Sequence, residues 1–150
     1  MSELSAMCEA LGFGGVKTYI ASGNVVFTSR KSEVAVKKAL EARLEILAGK
    51  PVGVLVRSAA EMAQVLSNNP FPKAAPNRTM AVFLDRAPPS DTLAGIRGHK
   101  DEQIALGQRE IYIHYGEGMG KSKLVVSAAK AGTARNMNTV AALAKMAADL

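Results

Sequence analysis

The sequence contains no tryptophan and only four phenylalanines and three tyrosines in 150 residues. Its core must be built from Val, Leu, Ile, Ala and Met. A single-stranded nucleic-acid surface of stacked rings would be poorly supplied. Cysteine occurs once, as Cys8, which excludes an internal disulfide and, with no Cys or His near it in sequence, leaves it no company for a metal. A reducing compartment, the cytoplasm, is therefore the expected location. Cys8 falls between Met7 and Leu11 in a helical pattern, the setting of a buried structural residue. No apolar run approaches the roughly 18 residues of a membrane span, and no basic stretch leads into an apolar one at the N-terminus, so neither membrane association nor a secretory leader is expected. The two histidines, His99 and His114, are far apart, and no His-Glu-x-x-His spacing exists, so no metal site is predicted. Ser22 lacks a Gly-x-Ser-x-Gly elbow. Neither catalytic residues nor a cofactor is predicted.

What is present is ordinary for a soluble globular protein: 48% apolar and 21% charged residues, in a chain long enough for one compact unit or two small halves. The net charge of +6 is uneven. Residues 1–60 hold eight Lys/Arg against five Asp/Glu, residues 61–115 balance at six and six, and residues 116–150 hold five against two. The excess forms a basic face if the two ends meet, and otherwise serves solubility.

Helical spacing of Leu4, Met7, Cys8 and Leu11 predicts a first helix stopped by Gly12. Val16–Ile20 and Asn24–Thr28 flank Ala21-Ser22-Gly23 as a hairpin. Ser32 caps a helix carrying Val36, Leu40, Leu44 and Leu47 and broken by Gly49. Val52–Val56 follows as an expected interior strand, apolar on both faces. Ser58 and Glu61 form a capping box for a further helix. Beyond the Asn69-Pro70-Phe71-Pro72 breaker come a strand at Thr79–Leu84, a short helix capped by Ser90 or Asp91, and a hairpin of Glu102–Leu106 with Glu110–Tyr115. A helix over Lys121–Ala129 and a last helix from Asn138 complete the chain.

The second half thus repeats the element order of the first. The reading is α+β, two ferredoxin-like (split β-α-β) halves over residues 1–57 and 58–150, the first lacking its opening strand.

The most suggestive chemistry is Tyr115-Gly-Glu-Gly-Met-Gly-Lys-Ser-Lys123. A nucleotide-binding loop of the Gly-x-x-x-x-Gly-Lys-Ser/Thr type needs glycine at position 115, which is Tyr115. Starting from Gly116 the loop is one residue short. A tight loop before a helix accounts for the glycines. Simple anion binding remains open, with Lys121, Ser122 and Lys123 at a helix start. Nearby, Arg135-Asn-Met-Asn-Thr139 supplies caps for the final helix through Asn138 or Thr139, while Arg135 suits either a carboxylate of the protein or an external phosphate.

Several uncommon strings resemble the bacterial family known as domain of unknown function 1697. They are Leu11-Gly12-Phe13, Val16-x-Thr18-Tyr19-Ile20-x-Ser22-Gly23-Asn24-Val25-Val26-Phe27, Val56-Arg57-Ser58, Asn69-Pro70-Phe71-Pro72 and Ile111-Tyr112-x-His114-Tyr115. Gly118-Met119-Gly120, Ser122-Lys123-Leu124 and Gly132-Thr133-Ala134-Arg135-Asn136-x-Asn138-Thr139-Val140 continue the match. The resemblance implies two ferredoxin-like halves and no assigned activity. It also implies an opening strand with an Arg-Gly-Ile-Asn-Val-Gly-Gly-like loop that this chain does not contain, and a Trp where Met137 stands. Either the start is misassigned or truncated, or a sheet edge is left open.

The leading expectation is a small cytoplasmic binding module. It would hold an anionic ligand, a phosphate or a nucleic-acid backbone, through Gly118, Gly120, Lys121, Ser122, Lys123, Arg135, Asn136 and Asn138. The alternatives are an enzyme acting on a phosphorylated small molecule, with Ser22, Tyr19 or His114 near the same loop, and a protein-interaction module or homodimer formed through the open sheet edge.

Overall fold

The computed structural model describes residues 2–19, 23–98, 101–116 and 123–150. The protein is α+β with two antiparallel sheets. Its contacts separate unit 1, residues 1–62 with 143–150, from unit 2, residues 63–142.

In unit 1, helix α1 (Ser2–Ala10) is stopped by its glycine. Gly12 takes a left-handed φ of 87°, its N–H reaches the Glu9 carbonyl, and the Phe13 N–H reaches that of Cys8. This is a Schellman closure, and both ends of its apolar contact, Cys8 and Phe13, are buried. Strands β1 (Gly14–Tyr19) and β2 (Asn24–Thr28) pair antiparallel, with a register shift between Gly14 and Lys17. Helix α2 (Glu33–Ala48) starts at Ser32, whose Oγ accepts the Ala35 N–H at 3.2 Å. It ends at Gly49, with φ 74° and its N–H on the Glu45 carbonyl. The core joins Met7, Cys8, Phe13, Val36 and Leu40, with Val16, Val25, Phe27, Leu44, Val54 and Val56 packed against it half-buried. Phe13 stacks on Phe27 with centroids 4.2 Å apart. Helix α3 (Ala59–Ser67) opens with the reciprocal box expected: Ser58 N–H to Glu61 Oε1 at 2.8 Å and Glu61 N–H to Ser58 Oγ at 3.1 Å.

In unit 2, β3 (Thr79–Phe83), β4 (Gln103–Leu106), β5 (Glu110–His114) and β6 (Thr133–Asn136) stand in the order β4-β5-β3-β6, every neighbour antiparallel. One face, with Val82, Ile111 and Ile113, is covered by Leu84, Val126, Ile96, Leu124, Ala128 and Ala129. On the other face the fully paired Ala81 and Tyr112 are buried, and the Tyr112 hydroxyl donates to the Val65 carbonyl of α3 at 3.0 Å. Burial holds the Tyr112 phenol up at about 12, with the Glu110 charge adding to it. Helix α4 (Met137–Ala148) follows β6 directly.

Three expectations are corrected. Val52–Val56 joins no ladder among the described residues. The Val54 N–H instead donates to Glu41 Oε2 at 3.2 Å, and Glu41 is itself held by Lys37 Nζ at 2.8 Å. An apolar run reports burial, not a pairing partner. No α-helix forms in the described part of 121–129. Arg97 and Val125 exchange two backbone bonds, Leu124 and Val126 turn toward the core at two-residue spacing, and only a 3-10 turn, Ser127–Ala131, follows. Tertiary pairing overrides a modest helix preference at these β-branched positions. The short helix after Asp91 is likewise a 3-10 turn, Leu93–Gly95, preceded by the Thr92 hydroxyl donating to the Pro89 carbonyl.

Candidate functional site

Strands β5 and β6 both run antiparallel to β3, so they are parallel to each other, two strand spacings or about 10 Å apart. The register matches Thr79 with His114 and Met80 with Asn136. The start of the glycine-rich loop and the start of α4 therefore leave the sheet at the same end, with the first residues of β3 between them. Gln103 pairs with His114 on the far side, bringing Asp101 and Glu102 to that end as well.

The sheet end is built around a buried threonine. Thr79 is fully buried, and its hydroxyl donates to the Ala75 carbonyl at 3.0 Å. His114 Nδ1 lies 3.2 Å from the same oxygen. The threonine hydroxyl thus bridges a backbone carbonyl and the imidazole ring. The Phe71 ring lies against the imidazole at 6.2 Å between centroids. The Tyr115 N–H reaches the Arg78 carbonyl at 2.9 Å. The Tyr115 phenol is raised, first by burial and then by the Glu102 charge. Gly116 has a φ of 62°, and a Cβ there would stand 3.2 Å from an Asp101 carboxylate oxygen. The sheet end is thus of mixed sign in sequence, with Arg78 and Arg135 on β3's approach and on β6, and Asp101 and Glu102 leading into β4.

Among the residues singled out from sequence, Gly118, Gly120, Lys121 and Ser122 lie outside the described residues, as do Ser22 and His99. Lys123 is exposed and begins no helix. Its carbonyl lies against Gly98, where any Cβ would run into it. Arg135, opposite Ala81 on edge strand β6, donates from Nη1 to the Ala134 carbonyl at 2.8 Å. Asn136 is the cap of α4: its Oδ1 accepts the Thr139 N–H at 2.9 Å. This replaces the expected caps, Asn138 and Thr139, and leaves Asn138 exposed in the first turn. Arg78, Thr79, Asp101 and Glu102 were not singled out from sequence. Only the strand order brings them here, although Tyr115-Gly116 after an alternating strand was a local signal for the site. Among the described residues, no three His, Cys, Asp or Glu gather to hold a metal, and no helix is long and apolar enough to cross a membrane.

A mixed α+β protein of two antiparallel sheets is the class these observations define. The chain belongs to the family described as "Protein of unknown function (DUF1697)", whose model matches residues 1–112. Among solved structures it is similar to the conserved bacterial protein SP0830 from Streptococcus pneumoniae. That likeness has a TM-score of 0.80 at 24% identity and covers 98% of this chain and 88% of that one; it shows the fold. No curated protein matches.

Proposed function

We propose that unit 2 binds an anionic group, a phosphate on a small molecule or in a nucleic-acid backbone, at the sheet end where β5 and β6 terminate. The supporting observation is the strand register. It brings Gly116, at the mouth of the glycine-rich loop, and the first turn of α4 to one edge on either side of β3. With Asn136 satisfying one amide of α4, the N–H groups of Met137 and Asn138 remain at the helix start, where partial positive charge favours an anion. Arg135 and Lys123 supply cations, and Lys121, Ser122, Gly118 and Gly120 belong to the same proposed cradle. The fold reading that accompanies it is ferredoxin-like: in chain order the four strands of unit 2 stand 4-1-3-2, all antiparallel, the order of a split β-α-β sheet. Unit 1 is read as the other half of that kind. A cytoplasmic setting is supported by the single, buried, reduced Cys8.

Binding of short RNA, short DNA and inorganic phosphate to the full chain at two salt concentrations tests the proposal. Three phosphate contacts predict roughly a 40-fold loss of nucleic-acid affinity between about 50 and 200 mM salt. Arg135→Ala and Lys123→Ala should each lower the salt slope by about one unit. No binding of any of the three at low salt rejects the reading.

One observation favours a second reading, an enzyme acting on a phosphorylated small molecule. The Thr79–His114 hydrogen bond holds an imidazole, the side chain most often used for proton transfer, at this sheet end. Turnover of phosphorylated small molecules that survives His114→Gln unchanged would remove it.

A further inference from the structure

We infer that Arg78 grips the anionic group at the sheet end of unit 2, and that the ligand is a terminal phosphate monoester on a small hydroxylated molecule. This rests on the anion-binding reading and narrows it. Arg78 closes the 3-10 turn Pro76–Arg78, which leads into β3. Backbone bonds and packing fix where that turn lies. The Tyr115 N–H donates to the Arg78 carbonyl at 2.9 Å, the Arg78 N–H donates to the Ala75 carbonyl at 3.0 Å, and the turn packs beside β6. It therefore occupies the gap between Gly116, just past β5, and the start of α4. None of these bonds uses the Arg78 side chain. Arg78 is half-buried, yet among the described residues no carboxylate or carbonyl pairs with its guanidinium. A partly desolvated guanidinium fork matches the oxygens of a phosphate.

The class of ligand follows from the acidic flank of the same end. Gln103 pairs with His114, which sets Asp101 and Glu102 beside Tyr115 and Gly116. The Asp101 carboxylate lies against the Gly116 backbone, since a Cβ there would stand 3.2 Å from its oxygen. Glu102 is buried, and its charge reaches the Tyr115 phenol. β4 and β3 lie on either side of β5, two strand spacings or about 10 Å apart. A phosphate with a short carbon skeleton spans that distance. Nucleic-acid affinity instead grows from several cations, each displacing counterions. Here the Asp101 and Glu102 carboxylates offset the nearby arginines and repel the next phosphate of a polyanion. A single phosphate carrying hydroxyls brings no second charge, and its O–H groups find an acceptor in Asp101.

The test is titration calorimetry on the full chain with ribose phosphate, glycerol phosphate, inorganic phosphate and a short RNA lacking a terminal phosphate. At about 150 mM salt, at least one of the two esters should bind on the order of tenfold more tightly than inorganic phosphate, and more tightly than the RNA. Arg78→Gln should weaken that binding by on the order of tenfold or more. Arg78→Lys, which keeps the charge without the fork, should recover part of the loss. Asp101→Asn should narrow the margin of the ester over inorganic phosphate. Thermal melts establish that each variant is folded. Equal binding of the esters and inorganic phosphate, tighter binding of the RNA, or indifference to Arg78→Gln would overturn this inference and leave the anion-binding reading standing. No binding of any probe, even at low salt, would remove both.

Discussion

Unit 2 buries most of its two central strands; among the described residues no strand of unit 1 is buried to that extent. Four residues of β5 are buried in succession, Glu110 to Ile113, and four of the five in β3. In the hairpin of unit 1 only Asn24 reaches that state. The two halves draw on similar apolar residues, so composition does not explain the contrast. What differs is pairing: in unit 2 β3 joins a hairpin and an edge strand into a four-stranded sheet, whereas the described strands of unit 1 form a two-stranded hairpin, and Ile46 and Leu47 near the end of α2 are exposed.

The largest expected effects compare deletions in the two cores. Ile111→Ala, at a fully buried site on a central strand, is expected to cost about 4 kcal/mol, and Leu40→Ala about 2 kcal/mol, because half-buried neighbours such as Leu44 and Val54 can close around the gap. Urea denaturation of both variants measures this, and equal losses would break the comparison. Next come two glycines of similar left-handed φ, Gly98 at 71° and Gly49 at 74°. Gly98→Ala meets the Lys123 backbone, whereas Gly49→Ala meets nothing. The expected costs are about 3 kcal/mol and about 1 kcal/mol, the second from backbone strain alone. Thermal melts of the pair separate steric from conformational cost.

Smaller still are the pH effects. Tyr112 ionises at about 12 when folded against a usual 10.0. The unfolded chain therefore releases its proton first as pH rises. Stability from this group is complete below pH 10 and is lost between pH 10 and 12. Tyr112→Phe should lower stability at neutral pH by about 1 kcal/mol through the lost bond to Val65, and make the alkaline decline shallower. Chemical denaturation across that pH range checks both. The smallest effect belongs to unit 1. The Lys37 hydrogen bond, opposed by some desolvation, holds the Glu41 carboxyl below its ordinary value. Its contribution is present above that ordinary value and fades as pH falls through the lowered one. The pair is partly exposed, so Glu41→Gln should scarcely flatten the acid limb.

Local signals in the sequence were read correctly where the cause is local. Ser32, the Ser58–Glu61 box, Gly12 and Gly49 act at helix ends as their chemistry dictates, and both hairpins form where alternation meets glycine. The family was legible in strings such as Asn69-Pro70-Phe71-Pro72. What failed to show is what depends on partners distant in sequence. Val52–Val56 is apolar enough for an interior strand, but it joins no ladder among the described residues. Leu124 and Val126 fit a helix until Arg97 claims Val125. For the candidate site, Arg135 and Asn136 were legible as a polar cluster before a helix. Their placement across β3 from Gly116 was not, because it follows from the sheet order, as does the recruitment of Thr79, Asp101 and Glu102.

Native-state hydrogen exchange is the most direct measurement of the central contrast, a four-stranded sheet around β3 against a described two-stranded hairpin. In unit 2, the amides of Ala81, Val82, Ile111 and Ile113 should exchange only through global unfolding. In β2, alternate amides between Val25 and Thr28 should exchange through local opening, faster by on the order of a hundredfold. Uniform protection along β2, equal to that of β3, would contradict the account.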